Sequence, residues 1–91
     1  MTNENAKERR RIAGQQYPRA AEIAAGAGLA LVRHTEAHYS LRAPDWKVEI
    51  YPGNLRIFSV GRDRPFIPLP TDWDLIHLAE AAALQKENAD V

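Results

Sequence analysis

The chain has no cysteine among its 91 residues. A disulfide framework is therefore excluded, and so is a structural zinc site built from thiolates. The sequence also lacks an apolar run of about 18 residues, which is the length that a membrane-spanning helix requires. The polar and charged residues 1–11 do not have the apolar stretch of a secretory signal. Together these absences predict a cytoplasmic protein that has no membrane association.

An excess of one charge is missing as well, because 12 Lys and Arg residues balance 12 Asp and Glu residues. A protein that wraps nucleic acid usually carries a clear basic excess. The length allows one domain, and folding buries roughly 60–65% of the surface of so short a chain. Such a small core leaves little room for a deep catalytic pocket. No nucleotide, phosphate-loop or other cofactor motif is present, so we expect a protein without a cofactor that is not an enzyme.

The first third of the chain is predicted to be largely helical. Residues 1–16 form a basic N-terminal arm, flexible or helical, which either stops before Pro18 or continues through it as one kinked helix. Strong helix formers follow Pro18 as far as Gly26, a residue that commonly ends helices. The extended stretch 29–42 then fits either one bulged strand or two short strands.

The clearest local pattern is a β-hairpin with its tip near Gly53. Residues 46–51 alternate apolar and polar side chains, which is typical of a half-buried strand. Residues 52–54 are turn formers, and residues 55–60 return as the partner strand. This hairpin predicts the centre of an antiparallel sheet.

A second helix is predicted to begin at Thr71, because Asp74 three residues later would complete a capping box. The elements then form one α+β domain over residues 17–87, followed by a frayed tail at 88–91. The α-β-β-β-α order predicts a two-layer fold, in which a three-stranded antiparallel meander carries both helices on one face.

This order of elements resembles that of the double-stranded-RNA-binding domain. In that family a run of lysines at the start of the last helix contacts phosphates. The matching stretch here, residues 71–74, contains Asp72 and Asp74 instead, which argues against binding of duplex RNA in that mode. Residues 46–57 also resemble segments of small bacterial and mobile-element proteins, a likeness that implies no particular activity.

The sheet face opposite the helices is the main candidate site. The alternation assigns nine side chains to it: His38, Ser40, Arg42, Lys47, Glu49, Tyr51, Arg56, Phe58 and Val60. Aromatic and cationic side chains together could anchor a protein partner, or could stack bases and contact phosphates. Ordinary solvated surface is the alternative. The residues expected to bind a partner are Arg42, Lys47, Tyr51, Arg56 and Phe58.

The basic arm is a second candidate surface. Its cations are Lys7, Arg9, Arg10 and Arg11. They could contact nucleic acid or an acidic partner, although a short charged terminus often does no more than keep a protein soluble.

The third candidate is a metal site. His34, Glu36 and His38 alternate along the extended stretch, so all three could point the same way and bind zinc or iron. A solvated polar edge at a bulge is the alternative. Because no fourth ligand is indicated, we expect no metal.

These features favour a small non-enzymatic interaction module or regulator that docks a protein partner through the open sheet face. The partner could be another protein or a second copy in a homodimer, and a phage or mobile element is one setting for such a regulator. The first alternative is a nucleic-acid-binding accessory protein that uses the same cations and the arm. The second is a small metal-dependent enzyme that uses His34, Glu36 and His38.

Overall fold

A computed structural model describes the backbone of residues 2–61 and 69–89 and the side chains of residues 5–61 and 69–86. Helix α1 spans Thr2–Gly26 and helix α2 spans Leu75–Ala89. Between the helices lie strands β1 (Ala30–Thr35), β2 (His38–Arg42), β3 (Trp46–Tyr51) and β4 (Arg56–Gly61), with a short 3-10 turn, Pro52–Asn54, joining β3 to β4. Two residues of the expected tail, 88 and 89, belong to α2, and 90–91 lie outside the described residues.

The strands form one antiparallel meander in the order β1-β2-β3-β4. The stretch 29–42 contains two short strands, because Glu36 and Ala37 form a turn between them. The Ala37 amide donates a hydrogen bond to Thr35 Oγ1 at 3.0 Å, which closes this turn. The described order is therefore α-β-β-β-β-α, with one strand more than predicted and one more than in the RNA-binding family.

Both helices pack on the same face of the sheet. The inward side chains of β1, β2 and β3 share one buried core with small and apolar residues of α1 and α2: Leu31, Tyr39, Leu41, Val48, Ile50, Ala13, Ala20, Ala24, Leu75, Leu78, Ala79 and Ala82. Alanine allows α1 to approach the sheet closely. The predicted α+β class is confirmed, and no helix of the described residues covers the opposite sheet face.

Helix α1 continues through Pro18 without interruption. Proline has no N–H to donate to the carbonyl of Gly14, so one helical hydrogen bond is lost there. The hydroxyl of the neighbouring Tyr17 donates a hydrogen bond to the carbonyl of Leu31 at 3.3 Å. This bond holds this part of the helix against β1. Residues 2–16, expected as a flexible or helical arm, are helical and belong to α1.

The N-cap of helix α2 lies three residues later than predicted. Asp74, and not Thr71, is its N-cap, because Asp74 Oδ1 accepts a hydrogen bond from the His77 amide at 2.9 Å. The side chain of Gln16 makes two further hydrogen bonds at the start of α2. Its Nε2 donates to Asp74 Oδ2 at 3.1 Å, and its Oε1 accepts from the Ile76 amide at 3.3 Å. This contact from α1 satisfies a second free amide and fixes where α2 starts.

Gly53 lies at the tip of the β3–β4 hairpin, as predicted, but the positive φ of the turn, 52°, belongs to Leu55. Gly53 is a position of close approach to α1. Arg9 Nη1 donates to the Gly53 carbonyl at 3.1 Å, and a Cβ at Gly53 would lie 3.0 Å from Arg10 Nη1. The tip is thereby joined to the first half of α1.

Candidate functional site

The candidate site is the sheet face that the helices leave uncovered, called here the open face. Its members are cross-strand neighbours: Ser40 pairs with Glu49, and Glu49 pairs with Phe58 on the next strand. The remaining cross-strand pairs follow the same alternation along each strand. The open face therefore carries the nine residues that alternation predicts: His38, Ser40, Arg42, Lys47, Glu49, Tyr51, Arg56, Phe58 and Val60.

A row of rings crosses the open face from β1 to β4. His38 stacks on Tyr51 with ring centroids 4.7 Å apart and an interplanar angle of 5°. On one side of this pair the His34 ring centroid lies 4.5 Å from that of His38. On the other side Phe58 and Tyr51 make a T-shaped contact with ring centroids 5.9 Å apart. Phe58 is 53% exposed and Val60 is 48% exposed. The outer end of the row is therefore an apolar patch in contact with solvent.

A polar cluster lies beside the row. Ser40 Oγ donates a hydrogen bond to Glu49 Oε1, and His34 Nε2 lies 2.7 Å from Ser40 Oγ. Because the single hydroxyl proton of Ser40 is directed to Glu49, His34 Nε2 is the donor in its contact with Ser40. Ser40 is only 1% exposed, so its hydroxyl organises the cluster and is closed to a substrate.

The carboxylate of Glu49 also approaches the side chains of His38 and Lys47. Its Oε1 lies 3.4 Å from His38 Nε2, and its Oε2 lies 3.8 Å from Lys47 Nζ. The hydrogen bond from Ser40 is the main reason that the pKa of Glu49 lies below its usual value of 4.5; burial opposes this, and His38 and Lys47 add to it. Glu49 is therefore ionised at neutral pH.

His38 Nε2 is buried and has no hydrogen-bond partner of normal geometry in the described part of the chain. One donor atom from each of His34, His38 and Glu49 lies within 4.8 Å of the other two. Two imidazoles and a carboxylate form a donor set that zinc accepts.

Glu36 does not belong to this cluster, so the structure does not bring together the alternative set of His34, Glu36 and His38. Glu36 lies in the β1–β2 turn, where the alternation of a strand ends, and it lines a groove of about 480 Å³ beside α1. Glu49, on β3, lies beside the two histidines instead. Alternation places Glu49 and His38 on one face, but only the pairing of β2 with β3 brings them together.

The cations of the expected arm lie on α1, across the sheet from the open face. Lys7, Arg10 and Arg11 line the same groove as Glu36. Arg11 Nε donates to Glu8 Oε2 at 3.0 Å, and this hydrogen bond lowers the pKa of Glu8. The arm and the open face therefore do not form one continuous basic surface.

At one end of the open face, Arg42 and Lys47 are direct cross-strand neighbours. Like charges in this position destabilise a sheet. Together with Val60 they line a shallow depression of about 460 Å³. No acidic side chain of the described residues forms an ion pair with Arg42 or with Arg56. As far as the described residues show, these two guanidinium groups can bind carboxylates from a partner.

Comparison of the chain with protein-family models, with curated proteins and with solved structures found no match. Neither helix in residues 2–61 and 69–89 combines the length and the apolar content needed to cross a membrane.

Proposed function

We propose that this protein is a non-enzymatic docking module whose open face binds another protein. One observation carries the proposal: Phe58 and Val60 are both about half exposed on a face that no described helix covers, beside the cations Arg42 and Arg56. Aromatic and arginine side chains are the usual anchors of protein interfaces. Clustered apolar side chains in contact with solvent also mark interaction sites.

The charges of the open face define the chemistry of the partner. Arg42, Lys47 and Arg56 are cationic, and the one carboxylate among the nine residues, Glu49, already accepts a hydrogen bond from Ser40. The face therefore fits a partner that presents apolar side chains flanked by carboxylates. A second copy of the chain would bring like charges together, which disfavours a homodimer through this face.

Nucleic acid fits the open face less well. Stacked bases would suit Tyr51 and Phe58, but the ionised Glu49 between them and Lys47 would repel phosphates. The cations of α1 lie across the sheet, and the chain as a whole has no net charge. A protein partner is therefore the better match.

The experiment is affinity capture from a lysate of the native cell, with and without nuclease, using two matched double variants. Arg56→Ala with Phe58→Ala removes a cation and an apolar side chain from the open face. Arg19→Ala with Leu84→Ala removes the same kinds of side chain from the two helices, where both are exposed. Circular dichroism verifies that both variants are folded.

We expect a protein that remains bound after nuclease, is lost from the open-face variant and is retained by the helix variant. Equal capture by the open-face variant would show that the surface is wrong. A bound species that nuclease releases would favour the nucleic-acid alternative, and exclusive capture of the chain itself would favour a homodimer.

A further inference from the structure

We propose that His34, His38 and Glu49 form a binding site for a divalent transition metal on the open face, and that Zn²⁺ is the ion that suits it. This site would give the protein a second ligand besides its docking partner. The inference rests on the geometry of three side chains and does not depend on the proposed docking function.

Three neighbouring strands supply the donor atoms. His34 lies near the end of β1, His38 begins β2, and Glu49 lies within β3. With zinc bonds of about 2.0–2.1 Å, the donor atoms of a tetrahedral site lie about 3.4 Å apart. His38 Nε2 and Glu49 Oε1 already have a separation of 3.4 Å. The donor atom of His34 lies within 4.8 Å of the other two. His34 is exposed, so its ring can turn the third donor to the same spacing once its hydrogen bond to Ser40 is released.

The unpartnered nitrogen of His38 is the second reason for the proposal. Buried polar atoms in folded proteins nearly always have a hydrogen-bond partner. Among the described residues His38 Nε2 has only the Glu49 carboxylate, 3.4 Å away and without hydrogen-bond geometry. The His38 ring is stacked on Tyr51, which fixes its orientation. A metal ion bound at Nε2 would satisfy the one atom that this packing leaves without a hydrogen bond.

The hydrogen bond that orients Glu49 also favours a cation at Oε1. Ser40 donates a hydrogen bond to this carboxylate, as outer-shell partners of metal ligands commonly do to orient them. Lys47 approaches the other oxygen, Oε2, and its side chain is 45% exposed, so it can turn toward solvent when a cation binds. Three protein ligands would leave a fourth position for water or for a group of a bound partner.

The test is calorimetric titration of ZnCl₂ into the full chain, prepared without an affinity tag and freed of metal with a chelator. We expect one Zn²⁺ per chain. His34→Ala and Glu49→Gln should each weaken binding by about tenfold or more, since even outer-shell changes cost about that much. Glu36→Gln and His77→Ala are the matched controls and should bind as the unaltered chain does.

The imidazole nitrogen signals in NMR spectra provide a readout that a change in stability alone would not move. We expect Zn²⁺ to shift the ring signals of His34 and His38 and to leave those of His77 unchanged. Absence of binding, or binding that is unaltered in both His34→Ala and Glu49→Gln, would overturn the proposal. Loss of binding in Glu36→Gln with retention in Glu49→Gln would also overturn it, and would favour the alternative set of His34, Glu36 and His38. Because Zn²⁺ is the only probe, a negative result leaves the docking proposal intact.

Discussion

Ser40 Oγ donates a hydrogen bond to Glu49 Oε1 across strands β2 and β3, within the open face. The preceding residue of β2, Tyr39, points to the opposite face and is 0% exposed. Its hydroxyl has no hydrogen-bond partner in the part of the chain that the structure describes. Two adjacent residues of β2 therefore carry buried hydroxyls, of which one has a hydrogen-bond partner and the other has none among the described residues. Removal of each hydroxyl should change the stability of the fold differently.

Ser40→Ala should lower the free energy of unfolding by about 1–3 kcal/mol, because it leaves Glu49 and His34 without the hydroxyl that joins them. Urea denaturation at neutral pH measures this change. Tyr39→Phe is the matched control. It removes a hydroxyl that makes no such bond, so we expect a neutral effect or a gain of up to about 1 kcal/mol. Equal destabilisation by both variants would contradict the hydrogen-bond assignments.

Replacement of Glu49 should change how stability depends on pH. The pKa of Glu49 is lowered by folding, chiefly through the Ser40 hydrogen bond. Its ionised form therefore stabilises the native state above its usual pKa of 4.5, and this contribution is lost as the pH falls through the folded value. Glu49→Gln should be less stable than the unaltered chain by about 1–2 kcal/mol at neutral pH.

The difference in unfolding free energy between Glu49→Gln and the unaltered chain should shrink as the pH falls below 4.5. Denaturant titrations of the two proteins across the acidic range measure it. Glu36→Gln is the control, because Glu36 lies outside the cluster. A difference for Glu49→Gln that stays constant with pH would show that its ionisation contributes nothing to stability.

Gly61, at the end of β4, should not tolerate a side chain. Its φ is +128°, and a Cβ there would lie 2.5 Å from both the Asp45 carbonyl oxygen and the Trp46 Cα. Gly61→Ala should therefore destabilise the fold by about 2 kcal/mol or more. Gly26→Ala is the control, because nothing lies within 4 Å of its Cβ position, and we expect a neutral or slightly stabilising effect. Similar melting temperatures for the two variants would contradict this description of β4.

Much of the open face could be predicted because β2, β3 and β4 obey a simple period. Residues that alternate along an unbroken strand must share a face. This rule placed Arg42, Tyr51 and Phe58 correctly on one face of the sheet. The hairpin tip near Gly53 followed from turn formers between two such runs.

The rest depended on contacts between residues far apart in the sequence. Glu36 lies apart from His34 and His38 because the strand turns at that residue, which the alternation of His34 and His38 does not reveal. Thr71 and Asp74 are both good capping residues, and Gln16, 58 residues from Asp74, favours one of them. Local patterns offer such alternatives, and long-range packing selects among them.

The measurement that tests the central claim most directly is NMR titration of the labelled chain with the captured partner. If the open face is the docking surface, the side-chain signals of Tyr51, Phe58 and Val60 should shift or broaden, while those of Ala20 and Leu84 on the helices stay unchanged. Perturbation confined to the helices, with Phe58 and Val60 unaffected, would contradict the account.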